Sequence, residues 1–317
     1  MNIFSGKDIL VTGGAGFVGS HVTRKLVSLG AKVTVVDNLL TGKLELIKDL
    51  INQVTFVQED STEFLKKRPK FDMAFHFAAA YPSRAKMAEN PVALCKNFAI
   101  NDAFFQWAAE MKPERILVPS SPAAYPIELQ TGKPPRKLKE GDLNFSKGMN
   151  PDEVYGWSKV IAELEMKQLV KLGVKGALIR PFSGFGPGQS TDFPIPALVK
   201  RALNMENPIV IWGPGTQVRD FVYVDDIVDG ALLAIQKIED GSAINLGCEE
   251  ANFVKVAKIL AEIMGYAPEI KTLPDKPTGV AYRVADISDA KALGWTPKVS
   301  LRDGLTNVLR YVKNNLL

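Results

Sequence analysis

The chain has 317 residues, a mass of 34.7 kDa and 39 basic against 35 acidic side chains, a net charge of +4. With 46% hydrophobic and 23% charged residues it has the balance of a globular protein of roughly two domains, which excludes a disordered or collagen-like chain. The small, dispersed basic excess excludes a nucleic-acid partner and suits a small anionic ligand, and two histidines with the isolated Cys95 and Cys248 leave no zinc site.

Residues Met1–Asp8 lack a basic segment followed by an apolar one, so no secretory leader is expected. No run of about 18 apolar residues follows, so no membrane span is expected either, and the expected location is cytoplasmic. The apolar run Asp8–Thr12 reads as a strand buried on both faces. Gly16–Leu29 reads as a helix stopped by Gly30. Lys32–Asp37, Val54–Val57, Phe71–Phe77 and Arg115–Pro119 read as further strands, with long helices at Asn90–Met111 and Asp152–Leu172. Lys175–Arg180 and Ala243–Leu246 complete the strands, and Asp225 reads as the N-cap of a helix over Ile227–Ile235. Strands alternating with helices predict an α/β fold with a Rossmann-type, doubly wound parallel sheet.

Prolines and glycines crowd residues 181–196, where the rhythm breaks. The expected division is a nucleotide-binding domain over 1–180 plus about 221–247, and a smaller C-terminal substrate-binding domain over 181–220 and 248–317. Residues 129–145 form a long loop with Lys133, Pro134, Pro135, Arg136, Lys137 and Lys139, read either as a solvated basic loop or as a lid near an anion. Phe98, Phe104, Phe105 and Trp107 crowd one helix and suit either the core or a partner surface. His76 and His21 are expected to be packed histidines.

Gly13, Gly16 and Gly19 follow the first strand and open the first helix. In that setting the first glycine permits a tight turn, the second admits a pyrophosphate and the third lets helix pack on strand. The helix N-terminus adds unsatisfied N–H groups and a positive dipole end. Asp37 closes the second strand, where its carboxylate can accept both ribose hydroxyls and repels a 2′-phosphate, so the expected cofactor is NAD rather than NADP. Asp60 follows the third strand and reads as an adenine contact or a turn residue.

Tyr155 and Lys159 lie four residues apart at the start of a helix and so project from one face. A phenol with a pKa near 10 is a poor base, but a neighbouring ammonium favours its phenolate, and the pair makes a proton relay. Ser121, after the fifth strand, stands at the carboxyl edge where such sheets bind ligands and can hydrogen-bond a reacting oxygen.

Together the Thr12–Gly19 turn, Ser121, Tyr155 and Lys159 resemble the extended short-chain dehydrogenase/reductase family. Asp37-Asn38-Leu39, His76–Ala79, Trp212–Phe221, Tyr282–Ile287 and Leu293–Pro297 resemble its NAD-dependent nucleotide-sugar epimerase branch, which is UDP-glucose 4-epimerase-like. Tyr125-Pro126 and the long loop add some likeness to GDP-mannose 3,5-epimerase. The resemblance implies an enzyme, usually a homodimer, acting on a nucleoside-diphosphate sugar. It implies cofactor contacts at Gly13, Gly16, Phe17, Val18, Asp37, Asn38, Asp60, Ser61, Ala78, Ala79 and Asn97, besides Tyr155 and Lys159. It implies substrate contacts at Ser183, Arg219 and Arg283, the arginines on the diphosphate, for which guanidinium forks are suited.

Departures from the pattern narrow the chemistry. The branch usually has Asn at Ser183 and Gly-Thr at Ile100-Asn101. Pro122-Ala123 replaces the Asp-Glu pair of the related dehydratases, and the decarboxylases usually carry Glu at one of these two positions. The 3,5-epimerase pattern needs Cys at Ala123 and Lys near Asp192. The expected reaction is therefore NAD-dependent epimerisation at C4 through a 4-keto sugar, with Ser121, Tyr155 and Lys159 catalytic. The alternatives are a 4-keto-sugar reductase, a 3,5-epimerase-like enzyme and a non-catalytic nucleotide-binding relative.

Overall fold

The computed structural model describes residues 2–80, 90–132, 134–276 and 279–315, so Lys133 of the basic loop lies outside the described residues. Its contacts form two compact units. The first runs up to Ala124 and takes in Pro151–Arg180 and Val228–Ile244; the second holds Tyr125–Asn150, Pro181–Ile227 and the chain from Asn245 on. No helix among the described residues is long and apolar enough to cross a membrane.

In the first unit, β1 (Asp8–Thr12), β2 (Lys32–Val36), β3 (Thr55–Val57), β4 (Met73–His76), β5 (Arg115–Pro119) and β6 (Lys175–Pro181) line up as β3-β2-β1-β4-β5-β6, with β10 (Asp240–Leu246) outside β6. The pairs from β3 to β6 are parallel. The order reverses between β1 and β4, the switch point at which doubly wound sheets hold their ligands. The sheet expected from the sequence is present. Its helices include α1 (Phe17–Ser28), α2 (Ser61–Lys66), α3 (Lys96–Met111) and α5 (Glu153–Val170).

Of the four aromatics on α3, three belong to the core and Phe98 is half-buried outside it. Phe104, Phe105 and Trp107 are buried with Leu10, Ile116, Met166 and Leu178, and Trp107 Nε1 donates to Pro69 O at 2.9 Å. Each such side chain contributes about 1.5–3 kcal/mol by leaving water. His76 is packed as expected: its ring stacks 4.2 Å from Phe104 and Nδ1 pairs with Thr12 Oγ1 at 2.8 Å. Burial, with help from the Lys159 charge, pushes its pKa down to about 3, so it stays neutral. His21 meets Phe17 edge-on.

The second unit contains α4 (Glu128–Thr131), α6 (Pro194–Leu203), α8 (Phe253–Met264), α9 (Ser288–Leu293) and α10 (Leu301–Asn315). Its four-stranded sheet is centred on β9 (Val218–Tyr223), which pairs with β7 (Ser183–Phe185), β11 (Glu249–Asn252) and β13 (Tyr282–Arg283). A two-stranded sheet joins β8 (Ile209–Trp212) to β12 (Ile270–Leu273).

The division differs from the sequence reading. Phe221–Ile227 and Asn245–Gly247 group with the second unit, which holds every strand that β9 pairs with among the described residues. Asp225 falls inside the first turn of α7 (Val224–Lys237) rather than at its cap, where its charge opposes the positive helix end. Residues 125–150 also group with the second unit, which stitches the basic loop down. Arg136 grips Asp142 with two hydrogen bonds of 2.8 and 3.0 Å, and Lys137 pairs with Glu250 at 2.8 Å. Leu138 bridges to Ala285 while Asn245 Nδ2 donates to its carbonyl. Among the described residues of the loop the basic side chains stay exposed while ion pairs and backbone contacts fix their positions.

Candidate active site

The glycine turn closes tightly at the switch point. Gly13 takes the left-handed φ of +70°, and a Cβ there would lie 2.5 Å from Ala78 N, so only glycine lets the turn meet the end of β4. A Cβ at Gly19 would lie 2.1 Å from Gly13 O, so α1 can begin hard against the turn. Gly16 caps α1 without a side-chain bond, and Phe17 and Val18 form its first turn, where N–H groups lack partners within the helix. Gly13, Gly16, Asp37, Asn38, Asp60, Ser61, Ala78 and Ala79 line one cleft of about 690 Å³, mouth included.

Asp37 is 8% exposed. One carboxylate oxygen accepts from Ala15 N at 3.0 Å and the other from Leu39 N at 2.9 Å. Burial raises its pKa and these two N–H bonds oppose the rise. Each oxygen keeps a lone pair for a ribose hydroxyl. The following loop wraps closely: Leu39 has φ +58°, and a Cβ at Gly42 would lie 2.7 Å from both Asp37 oxygens. Asn38 accepts from Leu40 N and donates to Asp60. Asp60 caps α2, accepting from Thr62 N at 2.9 Å. Burial works against its ionisation, but the bonds from Thr62 and Asn38 outweigh it and hold the pKa below the usual range.

Asn97 has a different position from the one its expected role suggests. Its amide clasps the backbone of Ala80, accepting from Ala80 N and donating to Ala80 O, both at 2.8 Å. It therefore holds up the Ala78–Ala80 wall of the cleft rather than presenting its amide to a ligand. This glycine-walled cleft, with a buried carboxylate at one side and a helix N-terminus at the other, fits the adenosine and pyrophosphate of NAD.

The catalytic candidates converge behind β5. Lys159 is 6% exposed; its Nζ donates to Pro119 O at 2.9 Å and sits 5.6 Å from the centre of the Tyr155 ring. Burial lowers its pKa to about 8, partly opposed by Glu163. Ser121 Oγ accepts from Ala123 N at 3.1 Å, which fixes the turn beyond β5. The same turn holds the start of α5, since Ala123 O accepts from Asp152 N at 2.8 Å. A Cβ at Gly156 would lie 2.4 Å from that oxygen. Glu153, two residues before Tyr155, sits at φ +56°, a strained conformation for a side chain of its kind.

Sequence reasoning missed the support beneath. Glu163 and Arg180 form a buried ion pair, with side chains 3% and 5% exposed, joined by two hydrogen bonds of 2.8 and 2.7 Å. Ser120 also donates to Glu163. Tyr155, Lys159 and Glu163 recur every four residues, so a charged stripe on the inward face of α5 was visible in the sequence.

In the second unit Arg219 and Arg283 are paired across β9 and β13. Ser183 pairs with Phe221, two residues from Arg219, so by strand alternation all three expected substrate residues belong to one face of the sheet. Asp220 points the other way, accepting from Cys248 N at 2.6 Å and Ala285 N at 3.0 Å. Burial pushes its pKa up to about 6 against those bonds.

Known proteins are similar to this chain over nearly its whole length. A UDP-glucuronic acid decarboxylase 1 from Xenopus tropicalis is 31% identical over 98% of this chain and 73% of its own. The crystal structure of a UDP-glucose 4-epimerase from Thermotoga maritima, bound to UDP-glucose, superposes with a TM-score of 0.85 at 30% identity, covering 98% of this chain and 100% of that one. A UDP-glucuronic acid 4-epimerase from Bacillus cereus, solved with NAD and a fluorinated UDP-sugar, gives 0.84 at 27% identity over 97% and 99%. Residues 9–247, from β1 to just past the end of β10, match the family described as NAD dependent epimerase/dehydratase. The match spans well over half of the sequence, and the chain belongs to that family.

Proposed function

We propose that the protein is an NAD-dependent epimerase that inverts C4 of a nucleoside-diphosphate sugar. The observation that carries the reading is the Lys159 ammonium anchored on Pro119 O and 5.6 Å from the Tyr155 ring, in a unit whose glycine cleft suits NAD. When bound, NAD supplies the hydride acceptor and donor at C4. Gly13, Gly16, Phe17 and Val18 would hold its pyrophosphate and Asp37 its ribose. Asn38, Asp60, Ser61, Ala78 and Ala79 would line its remaining contacts, and Asn97 would act through Ala80.

Tyr155 takes the proton of the 4-hydroxyl and later returns it. Lys159 favours the phenolate by its charge and would bond the nicotinamide ribose. Ser121 hydrogen-bonds the same oxygen of the sugar. Arg219 and Arg283 hold the diphosphate, and Ser183 the sugar, while the 4-keto sugar turns about that linkage and presents its other face.

Decarboxylases are also among the relatives. At the turn after Ser121, however, Pro122 and the buried Ala123 offer no carboxyl group, which favours epimerisation. The test is turnover of UDP-glucose and UDP-glucuronic acid in heavy water, followed by NMR and mass spectrometry. The expected product is the C4 epimer without carbon-bound deuterium. Deuterium at C3 or C5, loss of CO2, or steady consumption of added NADPH would each overturn the proposal.

A further inference from the structure

We infer that Gln130 is a positioning residue for Arg283, fixing the guanidinium edge that Arg283 turns toward a diphosphate. The inference rests on the proposed reading of Arg283 as a diphosphate residue. Gln130 is 1% exposed, and a side-chain amide so buried has to be satisfied by specific partners. Its Nε2 donates to Tyr125 O at 3.1 Å and to Pro126 O at 3.3 Å. Both are acceptors without a proton to give, so the amide can only face them with its nitrogen. The orientation of the group is thereby settled, and Oε1 is left pointing away from α4. It accepts from Arg283 Nε.

The geometry of the guanidinium gives this bond its effect. The group is planar and its five N–H donors are fixed relative to one another. Holding Nε from one side therefore sets the plane and direction of the terminal fork, which is the part suited to bidentate phosphate contact. Backbone contacts brace the same place. Ala285 N is held by the buried Asp220, and Leu138 N donates to Val284 O. Arg283 is thus held at its Nε, with the backbone of the two residues after it fixed as well. A diphosphate meets a side chain already oriented, and less rotamer entropy is lost on binding.

The test is a double-mutant cycle read by calorimetric titration of UDP, on protein checked for normal NAD content and melting temperature. Arg283→Ala is expected to weaken UDP binding. Gln130→Met removes the amide at similar volume and should weaken UDP binding roughly tenfold, the scale of one hydrogen bond to a charged group. The double variant should bind no more weakly than Arg283→Ala alone. Gln130→Glu keeps an acceptor opposite Nε but sets its other oxygen against the carbonyls of Tyr125 and Pro126, so it should not recover the loss. In turnover, Gln130→Met should raise KM with kcat nearly unchanged.

Gln130→Asn retains the amide but retracts it by one methylene; it carries the test if Gln130→Met does not fold, and the same direction of effect is expected. Additive losses in the double variant, or wild-type UDP binding by Gln130→Met or Gln130→Asn, would overturn the inference while leaving the diphosphate reading in place. Wild-type binding by Arg283→Ala, or no UDP binding by the wild type, would overturn that reading and the inference with it.

Discussion

Arg219 and Arg283 are Cα partners on neighbouring parallel strands, so two permanent cations leave one face of the sheet about 4.8 Å apart at their backbones. The register places both side chains where the proposed reading needs two guanidinium groups.

Tyr155→Phe keeps the ring and deletes the acid/base group. Turnover should fall roughly 100-fold or more while NAD content is unchanged. Turnover like that of the wild type would show that another group handles the proton.

Asp37→Ala should loosen NAD by about 1.5–3 kcal/mol, the worth of a hydrogen bond to a charged group. Gly42→Ala should loosen it too, because the new methyl group would press on both Asp37 oxygens. Nucleotide released by denaturing the wild-type protein should be NAD or NADH. NADP as the main species would refute this account of the Asp37 loop.

Glu165 on α5 has a buried Oε2 without a hydrogen-bond partner among the described residues. Burial, and then the charge of Asp102, push its pKa up to about 7 from an ordinary 4.5. Between those two values the folded protein binds more protons than the unfolded chain, so this group makes stability fall as pH rises from about 4.5 to 7. Glu165→Gln should match the wild type near pH 4.5 and exceed it by about 1 kcal/mol at pH 8, after allowance for partial solvent screening. Denaturant titrations at the two pH values check this, and an equal difference at both would refute it.

Homodimerisation is expected through the α5 face, where Trp157, Ile161 and Leu164 are exposed at i, i+4 and i+7, the spacing of an apolar stripe. Light scattering should show a dimer at micromolar concentration, and Trp157→Glu combined with Ile161→Glu should give a monomer. A monomeric wild type would rule out this contact.

The sheet and the main catalytic candidates were legible because their signals are local. Asp8–Thr12 is an unbroken apolar run, the glycine turn follows it directly, and Tyr155 and Lys159 lie one helical turn apart. What escaped notice depends on distant partners. Gln130 has meaning only beside Arg283, 153 residues away. Glu163 continues the four-residue spacing of Tyr155 and Lys159, but its ion-pair partner shows only when Arg180 is laid against it by β6. Asn97 matched a cofactor pattern, yet its amide is occupied by Ala80, a fact that backbone placement alone determines. Apart from the six-residue β9, the strands of the second unit were missed because two to four residues are too few to display a period.

The place of the missing Cβ at Gly156 has a consequence for how such a site can vary. The turn bearing Ser121 and the helix bearing Tyr155 abut through main-chain atoms, a carbonyl against a bare α-carbon. Their separation is thus gauged by peptide geometry, which is the same whatever side chains surround it. Side chains around this contact can be exchanged for larger, smaller or more polar ones without resetting the spacing between the turn that bears Ser121 and the helix that bears Tyr155.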